Sequence, residues 1–124
     1  MWPKRRKPVG VINPGTGGAD PPPDSGWIPL VMENAWVSES APATAVYRKQ
    51  GNIVRLRGAV NSGASGTVIA TLPAGFLPAC IEQYLLPISG GADAVLEIDP
   101  GGDLTPIFAS GNTIFLDVVT FTVD

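Results

Sequence analysis

The chain has 124 residues, 44% apolar and 15% charged, with 15 glycines, 13 prolines, one cysteine, no histidine and a net charge of −3. That length suits one packed domain, and a composition rich in strand and turn formers but poor in helix formers predicts an all-β protein. The lack of histidine removes the commonest general base, the commonest metal ligand and every Ser-His triad, so neither an enzyme nor a metal or other cofactor is expected.

Residues 1–26 read "MWPKRRKPVGVINPGTGGADPPPDSG". Proline and glycine are too dense there for a helix or a sheet, which predicts an extended, irregular arm able to span roughly 80 Å. Its basic start is followed by Pro, Gly and Asp rather than an apolar core, so a signal peptide is not expected. No apolar run approaches the length of a membrane span, and no membrane insertion is expected. The arm holds four basic residues against two acidic ones, a net of +2, whereas residues 27–124 hold four against nine, a net of −5.

A basic tip on an acidic body reads as a docking arm. Lys4, Arg5, Arg6 and Lys7 supply the charge, and Trp2, Val9, Val11 and Ile12 supply apolar groups that a purely solvating tail would not need. The plainer reading is a disordered terminus. Nucleic acid is a poor partner for so acidic a body, because such binders spread basic and stacking residues over the folded domain. Protein docking is therefore the expectation for the arm.

From Trp27 the chain reads as short strands between turn signals, expected at 27–32, 44–49, 53–60, 67–72, 84–88, 92–98, 105–108, 113–116 and 119–123. "KQGNI" predicts a tight hairpin turn, "NSGASG" a looser loop, and "DPGGD" and "ASGN" two further reversals. The spacing is that of an antiparallel β-sandwich, jelly-roll-like in style, over residues 27–124. In "IFLDVVTFTVD" Ile114 and Leu116 have one parity and Val119, Phe121 and Val123 the other, which predicts a bulge near Asp117 and Val118. The segments 68–72 and 94–98 lack a polar face, and the surplus apolar surface predicts subunit contacts. Cys80, between Ala79 and Ile81, reads as a small buried hydrophobe.

The stretch "NIVRLRGAVNSG" places Arg55 and Arg57 on one strand face and Val54 and Leu56 on the other. These arginines are candidate subunit-interface residues, pairing with carboxylates such as Glu82 or Glu97 or lying over an aromatic ring. The alternative is a solvated face whose charges discourage edge aggregation. Among the carboxylates Asp93, Glu97, Asp99 and Asp103, a solvated strand face is favoured over a catalytic pair or a calcium site. Trp27 and Trp36 read as core or interface anchors rather than sugar-stacking platforms. In "LPAGFLP" Pro73 and Pro78 fix two corners, Gly75 allows the turn, and Phe76 and Leu77 plug the end of the sandwich.

The succession "GWIPLVMENAW", "YRKQGNIVRLRGAVNSG", "TVIATLPAGFLPA" and "VVTFTVD" resembles the small β-sandwich modules of bacteriophage tail fibres, minor tail proteins and head fibres. The resemblance covers about residues 27–124. It implies a homotrimer built into the virion through an N-terminal segment, and it carries over no fixed receptor-binding residues. The function so implied is a virion structural protein: a small trimeric minor tail or fibre-head protein that docks on other virion proteins and contacts a host cell-surface glycan or protein. A capsid decoration or head-fibre protein, gripping the major capsid shell with the same arm, is the alternative. A fragment of a glycan-hydrolysing tail spike is disfavoured by the missing catalytic groups.

Overall fold

The computed structural model describes residues 23–108 and 112–123, and they form ten short strands with no helix among them. The strands are β1 (Ile28–Pro29), β2 (Val37–Ser38), β3 (Val46–Gln50), β4 (Ile53–Arg57), β5 (Ala59–Asn61), β6 (Glu82–Pro87), β7 (Asp93–Ile98), β8 (Leu104–Ile107), β9 (Ile114–Phe115) and β10 (Thr120–Thr122). They build three antiparallel sheets, ordered β1-β3-β4-β10, β2-β5-β9 and β6-β7-β8. The architecture is all-β and sandwich-like, as the composition predicts. The arm residues Trp2, Lys4, Arg5, Arg6, Lys7, Val9, Val11 and Ile12 lie outside the described residues.

Alternation in the sequence becomes layering in the fold. Val54 and Leu56 of β4, Leu86 of β6, Leu96 and Ile98 of β7, Leu104 of β8 and Phe121 of β10 meet in one core, and no polar or charged residue is buried among the described ones. Apolar area removed from water in this way is the main favourable term holding the sheets together. Phe76 and Leu77 pack against that core from the end, Phe76 edge-on to Tyr47 at 5.1 Å between ring centroids, and Gly75 makes the turn before them at φ 90°.

Several expectations are corrected. The strand expected over 53–60 is broken in two at Gly58, and its halves belong to different sheets. Gly58 has φ 100°, and a Cβ there would meet the Thr44 carbonyl oxygen at 2.1 Å, so the chain turns where only glycine fits. The facing strand breaks at the same level. Arg55 pairs with Thr120 and Ala59 with Phe115, so four steps along one side match five along the other. The extra residue falls in the turn around Asp117 and Val118, where the parity of the sequence places it, and the Asp117 carboxylate accepts the Gly58 N–H at 2.8 Å.

No regular strand forms at 67–72. Ile69, Ala70 and Leu72 are all buried, held by Glu33 on one side and by Gly102 and Leu104 on the other through backbone hydrogen bonds. The pairing is reduced there to an isolated bridge between Thr71 and Asp103. Strand β2 is an addition, since its two residues carry too short a pattern to stand out. The segment 94–98 does have a solvent face: Ala94, Leu96 and Ile98 point inward, while Asp93, Val95 and Glu97 point out. Asp99 belongs to the following turn, where its carboxylate accepts the Asp103 N–H. Cys80 is exposed, because Pro78 is the buried residue of that corner and the chain crosses the surface from 79 to 81 before entering β6. The thiol donates to the Glu82 carboxylate at 3.6 Å, and that bond raises its pKa above the ordinary value.

Candidate functional site

The four basic residues of 27–124, Arg48, Lys49, Arg55 and Arg57, all fall on β3 and β4. Register explains why three of them share a face. Arg48 pairs directly with Arg55, and both alternate with core residues, as does Arg57 two positions further on. Lys49 has the opposite parity. Its ammonium reaches the Gly75 carbonyl at 2.7 Å and sits 5.3 Å from the Phe76 ring centroid, covering the end plug.

The segment before β1 organises this cationic face. Residues 23–26 run along β3: Ser25 N–H donates to the Lys49 carbonyl, Gly51 N–H to the Pro23 carbonyl, and Lys49 N–H to the Ser25 hydroxyl. Asp24 holds the Arg48 guanidinium through two charge-assisted hydrogen bonds. Those bonds, followed by the Gly26 N–H, lower the Asp24 carboxyl from its ordinary 3.8 to about 2. Trp27 then lies among the arginines, its ring centroid 4.5 Å from the Arg57 guanidinium carbon and 5.5 Å from that of Arg48. Stacking of this kind fixes a guanidinium plane while leaving its N–H fork available.

Beside Arg57 the break between β4 and β5 opens a cleft of about 490 Å³, lined by Pro42, Ala43, Arg57, Gly58, Phe115 and Asp117. One wall is the partly exposed Phe115 ring, and the Asp117 carboxylate closes the far side while capping Gly58. The cleft therefore offers a cation, a carboxylate and an aromatic surface in one place, a set suited to gripping polar and apolar parts of a partner together.

Arg55 and Arg57 are both exposed, and neither pairs with a carboxylate among the described residues. The aromatic contact expected for the pair is made by Arg57, with Trp27 of its own chain. Glu82 and Glu97 sit on β6 and β7 in a different sheet, and among the described residues neither forms an ion pair with the arginines. Trp36 is the core anchor expected: it is buried, donates its indole N–H to Thr67 at 3.0 Å, and stacks obliquely on Phe108. Sequence reasoning missed the Asp24 clamp and the cleft. The cleft had a signal, since the parity break at Asp117 and the glycine after "VRLR" mark its two sides.

In the β6-β7-β8 sheet, the outward row is Leu85, Val95 and Ile107, paired across the strands in that order. Leu85 is 67% exposed, Ile107 62% and Val95 38%. Asp93 and Glu97 stand on the same face, one on each side of Val95 along β7.

No protein-family model and no curated protein sequence matches the chain. Among solved structures, its fold is similar to the crystal structure of the receptor binding protein (gp15) of Listeria phage PSA, with a TM-score of 0.69 and 20% sequence identity over 83% of this chain and 67% of that one.

Proposed function

We propose that this chain is a bacteriophage virion protein of the tail apparatus, a binding and structural component rather than an enzyme. The observation that carries the reading is the fold similarity to a phage receptor binding protein, which extends over most of both chains. The motif order from "GWIPLVMENAW" to "VVTFTVD" points to the same class of particle protein independently of the coordinates. On this reading the β-sandwich body associates as a homotrimer and contacts the host surface, and residues 1–26 dock on neighbouring virion proteins. The exposed row Leu85, Val95 and Ile107 supports self-association, because contiguous apolar surface on a small domain marks an interface. The charge and apolar content of the arm supports docking.

The experiment is competition for adsorption. Purified full-length protein, added to host cells before the phage that encodes it, is expected to occupy the attachment sites and lower phage adsorption in a dose-dependent way. Unchanged adsorption at saturating protein, with no protein retained on the cells, would contradict host-surface contact.

A further inference from the structure

The body separates its charges by sheet. Arg55 and Arg57 stand exposed on the outer face of the β1-β3-β4-β10 sheet without a carboxylate partner among the described residues, while Arg48 and Lys49 are already engaged by Asp24 and by the Gly75 carbonyl. The outer face of the β6-β7-β8 sheet carries Asp93 and Glu97 around the apolar row Leu85, Val95 and Ile107, and neither carboxylate meets a cation among the described residues. The two sets lie on different sheets and form no ion pair with each other among the described residues.

We infer that these two faces are the halves of one contact between copies of this chain: the Arg55 and Arg57 face of one copy docks on the Asp93, Glu97 and Leu85 face of the next. Charge decides against the alternatives. Two copies joined through the apolar row would set Asp93 and Glu97 against the same residues of their partner, and two joined through the arginine face would oppose four guanidiniums that have no carboxylate partner among the described residues. Like-charge juxtaposition across an interface costs several-fold to many-fold in affinity, whereas opposite charges steer and fix the register. Head-to-tail docking is the arrangement that pairs both sets and covers the apolar row. Such a contact is heterologous, so repetition closes a ring if the rotation permits. The inference rests on the self-association part of the proposed function and assigns the surfaces that make it.

The test is charge reversal in the full-length chain, read by sedimentation velocity across a concentration series, with circular dichroism to confirm that each variant is folded. R55E/R57E and D93R/E97R should each weaken self-association by about tenfold or more, the scale expected when close interfacial charge pairs are inverted. The chain carrying all four substitutions should associate within about threefold of the native protein, because both faces are then inverted together. Native-like association of either folded double variant, or no recovery in the folded four-fold variant, would overturn the assignment. A native chain that stays monomeric at every concentration would overturn it too. Adsorption competition by the same preparations separates the two readings, since host binding by monomeric protein would leave the tail assignment standing while this contact falls.

Discussion

Gly58 is the residue on which the fold turns. Its φ of 100° and the 2.1 Å approach of a Cβ to the Thr44 carbonyl oxygen leave no room for any side chain, and the obstruction is backbone rather than a flexible group. Gly58→Ala is expected to destabilise the body by roughly 2–5 kcal/mol, the sum of backbone strain and overpacking, measured as a lower urea midpoint. Tyr84 contributes to the alkaline limb of stability. Its hydroxyl donates to the Thr120 carbonyl at 2.9 Å, tying the sheets together, and burial followed by the nearby Glu82 carboxylate pushes its pKa from 10.0 up to about 12. The unfolded chain ionises first, so the stabilisation is complete below pH 10 and is lost as pH rises towards 12. Tyr84→Phe should cost about 1 kcal/mol near neutrality and flatten that alkaline loss, as followed by urea midpoints across the window. Asp24 has the opposite sign. With its carboxyl held at about 2, its contribution is present above 3.8 and is lost as pH falls between those values, so Asp24→Asn should show a shallower acid decline than the native chain over the same window.

Elements are where sequence and structure part company, and each departure has a physical cause. The alternation that marks β3, β4, β7 and β10 survives because one face of each is buried, which pins register. The parity change in "IFLDVVTFTVD" also survives, as the extra residue opposite Gly58. What periodicity cannot report is where a strand changes sheet: "IVRLRGAV" reads as one run, and only the collision at Gly58 divides it. Nor can it separate an irregular segment such as 69–72, with Ile69, Ala70 and Leu72 buried, from a regular strand, since both are rich in apolar residues. That Arg55 and Arg57 share an exposed face was legible, but their companions were not. Asp24 lies in a proline-rich stretch that reads as part of the arm, and its role depends on a bridge to Gln50 across the sheet. The clamp formed by residues 23–26 therefore gives the two arm deletions different outcomes. Removing 1–22 should leave the melting temperature of the body nearly unchanged, whereas removing 1–26 should lower it by several degrees, through the loss of about two or three net hydrogen bonds to β3.

At the scale of the whole molecule, a three-sheet body presents unlike faces and follows a basic N-terminal segment. The cationic face with Trp27 and the acidic, apolar face are unlike in character, and on the proposed reading they meet between copies while residues 1–26 attach the body to its neighbours. The central claim is that this chain is a component of the tail of a phage particle. A cryo-electron reconstruction of the intact particle of the phage that encodes it tests that claim most directly. The account predicts density matching the three-sheet body at the host-proximal end of the tail, in copies related by rotation about the tail axis, with arginine and carboxylate faces in contact. Density for the same body on the capsid shell, or its absence from the particle altogether, would contradict it.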